Sequence, residues 1–75
     1  MRLEEFLIEL RELLRRESDI TPEMRLRDME EWDSMAIMEM ISWFSTRFGL
    51  ELTFDHFRRL DTVADLAALC SQIEQ

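Results

Sequence analysis

The chain's single glycine, Gly49, closes a stretch of helically spaced apolar residues that Asp33 and Ser34 are suited to open. Asp and Ser are strong N-cap residues, and glycine supplies the left-handed residue on which many helices end. Start and stop together predict a helix over residues 34–48. At about 100° per residue, Ile37, Met40, Ile41, Phe44 and Phe48 gather on one face, with Met35, Glu39, Ser42 and Thr46 opposite. Met38 and Trp43 fall on the borders, where half-burial is expected. Met35 is thus an apolar residue on the polar side.

The same period runs upstream and downstream. Leu3, Phe6, Leu7, Leu10, Leu13 and Leu14 form a stripe that predicts a first helix over residues 3–16. Glu12 stands one turn before Arg16, a pairing worth about 0.2–0.5 kcal/mol, so the leucine stripe dominates. From Glu17 to Asp33 the period lapses. Ser18, Asp19, Thr21 and Pro22 are turn formers, with Thr21-Pro22 able to open a short helical turn, and Leu26, Met29 and Trp32 are placed to pin a long loop. Thr53 opens a brief helix through Leu60. Thr62 followed by Asp65 resembles a capping box before the stripe Val63, Leu66, Leu69, Cys70 and Ile73. No segment alternates apolar and polar residues over a strand's length. The expected fold is all-α, a four-helix bundle of three longer helices and one short one with a long first loop, forming one domain over residues 1–75.

Charge narrows the function. Seventeen acidic and nine basic side chains give a formal charge of −8. Nucleic acids and anionic membranes need clustered cations, so neither is an expected partner, and basic protein surfaces are. A 75-residue core yields roughly 3–5 kcal/mol, which leaves few apolar side chains for a deep catalytic pocket. No apolar run approaches a membrane span, the opening Met1-Arg2-Leu3-Glu4-Glu5 lacks a signal peptide's apolar segment, and a lone Cys70 forms no internal disulfide. The expected compartment is the cytoplasm.

Ser34 has the most unusual setting: a hydroxyl at a helix N-terminus, after a long loop and beside Met35. Unpaired amides and partial positive charge there suit a phosphate ester, with Asp33 placed to assist a modifying enzyme. Read from spacing alone, Asp33 or Ser34 is simply a helix cap.

Three stretches bear on that choice: Glu31-Trp32-Asp33-Ser34-Met35-Ala36-Ile37-Met38-Glu39-Met40-Ile41, then Phe48-Gly49-Leu50-Glu51-Leu52, then Leu60-Asp61-Thr62-Val63-Ala64-Asp65-Leu66. In order and spacing the chain resembles an acyl carrier protein, a four-helix bundle whose second helix opens on Asp-Ser-Leu, here Asp33-Ser34-Met35. The resemblance implies that Ser34 carries 4'-phosphopantetheine, added from coenzyme A by a magnesium-dependent phosphopantetheinyl transferase. The thiol of that arm then holds an acyl group as a thioester for acyltransferases, ketosynthases or other thioester-processing enzymes, in fatty-acid, polyketide or related biosynthesis. The carrier itself is non-catalytic and is expected to be a monomer. Partner contacts are expected at Asp33, Met35, Glu39 and Ser42.

The departures from the family pattern bear on its partners. Met35 replaces the usual leucine, and the second helix offers Glu39 alone where such helices present several acids, so steering by that helix is expected to be weaker. The Gly-Gly pair that typically precedes a peptidyl carrier's serine is absent. The competing reading is an acidic helical adaptor without a covalent cofactor. Met24, Met29, Met35, Met38 and Met40 invite the idea of a cavity sheltering an acyl chain, against the plainer expectation of core filling. His56 is expected at the surface, since the Gly-x-Ser-x-Gly turn of a hydrolase is missing. Cys70 is expected as a buried small hydrophobe, and Glu30, Glu31 and Asp33 as a solvated cluster, not a metal site.

Overall fold

The computed structural model describes residues 1–74. Four helices follow in order, α1 (Leu3–Leu14), α2 (Ser34–Phe48), α3 (Phe54–Arg58) and α4 (Val63–Ala67), with a 3-10 turn at Leu26–Asp28 and no strand among the described residues. The all-α four-helix reading holds.

α1 begins with Glu4 and Glu5 in its first turn, where the helix dipole favours acids, and Arg2 N donates to the Glu5 carboxylate at 3.4 Å. It stops at Leu14, two residues earlier than the stripe suggested. Arg15 takes the left-handed conformation (φ 55°), and the amides of Arg15 and Arg16 turn back onto the carbonyls of Glu12 (3.1 Å) and Arg11 (3.0 Å). Arg16 consequently leaves the helix. The Glu12–Arg16 pair does not form, and Arg16 instead donates to Glu31 at 3.0 Å in a half-buried contact across the long loop.

α2 occupies the expected residues 34–48. The Asp33 carboxylate accepts from Ala36 N at 2.9 Å, and at the other end Gly49 (φ 69°) and Leu50 donate to the carbonyls of Ser45 and Phe44. Met40 and Phe44 on its inner face are fully buried, and Ala36 is nearly so. Trp43 is half-buried as expected. Met38 is not, being 59% exposed.

The fourth helix departs from the expected three long helices and one short. α4 opens on a reciprocal cap: Thr62 Oγ1 accepts from Asp65 N (3.2 Å), while the Asp65 carboxylate accepts from Thr62 N (3.0 Å) and Asp61 N (3.1 Å). Those amides, that of Thr62 foremost, hold the Asp65 carboxyl below its usual range. Regular helix then ends at Ala67. Leu69, Cys70 and Ile73 continue by donating three residues back, to Leu66, Ala67 and Cys70. Turns of that tighter kind keep the predicted stripe facing inward, so Leu66, Cys70 and Ile73 are buried without a long helix.

The core is knit by aromatic rings. Phe44 lies 6.3 Å from Phe6 of α1 and 6.1 Å from Phe57 of α3, and Phe57 lies 6.3 Å from Trp32 of the loop. Each fully buried Phe stabilises the fold by about 1.5–3 kcal/mol. The long loop is fixed as its sequence predicts: Leu26 and Met29 are buried and Trp32 packs half-buried against the core. It is also hydrogen-bonded to the start of α4, with Leu26 N donating to Asp61 O, Val63 N to Met24 O and Ala64 N to Pro22 O, each at 2.9 Å. At the chain ends, the Met1 ammonium donates to Gln72 O (2.8 Å), Leu3 N to Glu74 O (2.9 Å) and Glu74 N to Met1 O (2.7 Å).

Candidate functional site

Ser34 is the first residue of α2 and is exposed. The cap is Asp33, one residue earlier, so the Ser34 hydroxyl is spared that task. The amides of Ser34 and Met35 meet no protein acceptor among the described residues, and the first turn of α2 carries no acidic side chain. A phosphate ester on Ser34 would meet unpaired donors and the positive end of a fifteen-residue helix. The residues present therefore fit a phosphopantetheine group.

The approach to Ser34 is anchored. Trp32 N donates to Met29 O (3.0 Å), Asp33 N to Glu31 O (3.1 Å), and Glu31 is held by Arg16. With the Trp32 ring against Phe57, the backbone that presents Ser34 is held from both sides while its hydroxyl stays in water.

Asp33, Met35, Glu39 and Ser42 all reach solvent around this point. Met35 is 71% exposed, the largest exposure of any big apolar side chain here, and it adjoins Ser34. Met35 and Ser42 offer this face apolar contact and hydrogen bonding, and its two carboxylates, Asp33 and Glu39, stand at the start of α2 and just beyond its first turn.

Two open depressions lie beside this face. One, of about 240 Å³, brings Arg15, Asp33, Met35 and Ala36 together. The other, of about 370 Å³, lies between Ser42, Trp43 and Thr46, and Leu13 and Glu39 border both. They mark the seam where α1 runs antiparallel to α2, with Glu9 reaching Arg47 at 3.2 Å at its far end. Leu13 and Arg15 did not stand out in the sequence as neighbours of Ser34, because nothing local states which side of α1 meets α2. A roomier depression of about 520 Å³, lined by Leu7, Ile8 and Arg11 among others, borders no neighbour of Ser34.

The remaining sequence candidates lie elsewhere. His56 is exposed, and its Nδ1 accepts from Thr53 N at 2.9 Å, capping α3. Cys70 is buried and unpaired. Among the described residues no three His, Cys, Asp or Glu side chains gather closely enough to hold a metal ion, and no helix is long and apolar enough to cross a membrane. The methionines divide: Met29 and Met40 are buried, Met24 is half-buried, and Met35 and Met38 are exposed. They fill and flank the core without lining one common cavity.

A family model described as a phosphopantetheine attachment site matches residues 4–70 of this chain. No curated protein and no solved structure matches it.

Proposed function

The chain belongs to the phosphopantetheine attachment site family, acyl-carrier-type proteins that hold 4'-phosphopantetheine covalently, and from that premise we propose that Ser34 is the attachment residue of a non-catalytic acyl carrier. The observation that carries the reading is the exposed, uncommitted Ser34 hydroxyl at the start of α2, with its cap supplied by Asp33. When bound, the group supplies a thiol on which an acyl cargo is held as a thioester. The protein's own residues position and present it. Unpaired amides at Ser34 and Met35 stabilise the phosphodiester, Asp33 fixes the helix start, and Trp32 with Glu31 immobilises the loop that delivers the serine.

Residues 1–75 constitute one carrier domain in this reading, and it is monomeric. Met35, Glu39 and Ser42, with Asp33 at the edge, form the surface on which partner enzymes dock: a phosphopantetheinyl transferase first, then acyltransferases, ketosynthases or other thioester-processing enzymes of fatty-acid, polyketide or related specialised biosynthesis. Glu39 is the one carboxylate within α2 itself, which supports docking that relies on Met35 contact more than on long-range steering by that helix. The compartment is the cytoplasm, where coenzyme A is supplied.

The test is intact-protein mass after incubation with coenzyme A, magnesium and a broad-specificity phosphopantetheinyl transferase. A gain of one phosphopantetheine by the native chain and none by Ser34→Ala is expected. No gain by the folded native chain, beside a modified control carrier, would favour a helical adaptor without a cofactor.

A further inference from the structure

Arg16 turns away from α1 towards the loop that delivers Ser34, and we propose that it is a positioning residue for phosphopantetheine transfer, acting through Glu31 and touching neither coenzyme A nor the serine. This role rests on the Ser34 reading above. The path of contacts is short. Arg16 Nη1 donates to Glu31 Oε1 at 3.0 Å. The Glu31 carbonyl accepts from Asp33 N at 3.1 Å, and the Asp33 carboxylate accepts from Ala36 N at 2.9 Å. The ion pair is thus one hydrogen bond away from the cap of α2, and Ser34 is the next residue.

The backbone is bent to make this contact. Among the described residues Arg15 is the one residue other than glycine with a positive φ, 55°. That conformation is disfavoured for a residue with a Cβ. Its effect is to end α1 one residue before Arg16 and to send the guanidinium across to Glu31 in place of Glu12.

Stability does not account for the pair. The Arg16 side chain is 18% exposed and that of Glu31 31%, so both charges give up much of their hydration, and apolar residues of similar volume commonly hold such places as well or better. Arg16 Nε is also buried and meets no acceptor among the described residues, which adds to the cost. What the pair supplies is a fixed register. Apolar packing would hold the loop against α1 at several settings, whereas a charge-assisted hydrogen bond selects one.

Register matters because of what the serine does. Ser34 Oγ bonds to the β-phosphorus of coenzyme A, the phosphoanhydride bond breaks, adenosine 3',5'-bisphosphate leaves with the electron pair, and the serine proton passes to a base of the transferase. A misplacement of about 1 Å in such a reaction costs about a hundredfold in rate.

Arg16→Met keeps the apolar volume and removes the charge. Its thermal midpoint is expected to equal or exceed that of the native chain. The kcat for transfer, followed by intact mass, should fall about tenfold, while the KM for the carrier changes by less than about twofold. Arg16→Lys, whose ammonium can replace the one Nη1 bond, should recover most of kcat. Glu31→Gln should match Arg16→Met, with the double variant no slower than either, and it carries the same test should Arg16→Met not fold. In the unmodified Arg16→Met chain, the bonded amides of Trp32, Asp33 and Ala36 should exchange with solvent faster, and those of Phe44 and Leu66 unchanged.

An unchanged kcat in Arg16→Met overturns the proposal. So does a loss confined to KM, which would make Arg16 a docking contact, and so does a fall in kcat that tracks a lower thermal midpoint and is not recovered by Arg16→Lys. No mass gain by the folded native chain removes the Ser34 reading and this role with it, an outcome told apart from the others because they all begin from a native chain that is modified.

Discussion

The starts of α2 and α4 each carry a hydroxyl residue, and the two hydroxyls have opposite fates. At α4 the Thr62 Oγ1 is consumed by capping, accepting from Asp65 N while Asp65 answers by accepting from Thr62 N. At α2 the cap is displaced one residue upstream to Asp33, and Ser34 enters the helix with its hydroxyl exposed and unpaired. A helix start can therefore be closed by its own chemistry or left open for someone else's. The difference comes from a single-residue offset between cap and hydroxyl, and it leaves the hydroxyl of one start uncommitted where that of the other is bonded.

The comparison is broken most severely at Ser34 itself. Ser34→Ala should abolish phosphopantetheine transfer completely, read by mass, while unfolding free energy stays within about 0.5 kcal/mol of the native value, as for other surface changes. Placing a serine at the closed start, by Thr62→Ser in the Ser34→Ala chain, should not restore any mass gain. Such restoration would show that capping does not decide availability.

Removing the caps comes next. Asp33→Ala should cost about 1 kcal/mol in a denaturant titration, with Asp33→Asn recovering most of it, since Asn caps as well as Asp. Thr62→Ala should cost a similar amount of about 1 kcal/mol, yet leave transfer to Ser34 intact. Equal effects of Thr62→Ala and Asp33→Ala on the rate of transfer would erase the distinction drawn here.

The smallest effect is a pH dependence confined to the closed start. Amide donation lowers the folded-state pKa of Asp65 below its ordinary 3.8. A depressed carboxyl contributes stability that is fully present above the unfolded value and is lost as pH falls through the folded one. Between about pH 4 and the lower folded value, stability should decline more steeply in the native chain than in Asp65→Asn. Identical acid slopes in the two chains would remove the Asp65 contribution.

How far these features can be read from sequence depends on whether each boundary has its own chemistry. α2 is legible to the residue, because Asp33 caps it through a side chain and Gly49 stops it with a positive φ that other residues resist. The end of α1 is not legible, since Arg15 adopts the same left-handed state without being glycine, and no neighbouring residue announces it. α4 misleads for a different reason. Val63, Leu66, Leu69, Cys70 and Ile73 recur every three or four residues, a spacing that tight turns bonded three residues back satisfy as well as an α-helix does. The periodic stripe reports which side chains are buried and leaves the backbone form open.

The same division holds at the site. Ser34, Asp33 and Met35 are recognisable as a run of three residues, because their roles are local to one helix start. The depressions beside it are not, since they set Leu13 and Arg15 from the end of α1 against Ala36 in one case and Leu13 against Trp43 in the other, and that pairing is set by packing. Met38 is a like case: its border position was legible, but which of the two borders of α2 the packing would leave exposed was not.

The hydrogen bonds among Met1, Leu3, Gln72 and Glu74 bring the two ends of the described chain side by side. In topological terms the fold is nearly a closed ring. Its order of helices is then a matter of where the ring is cut, and a circular permutant joined across these ends and reopened at an exposed position such as Ser18 should return to the same bundle. Such a permutant would present Ser34 from a chain that starts and finishes in the long loop, which makes the serine's surroundings independent of the direction from which the polypeptide arrives.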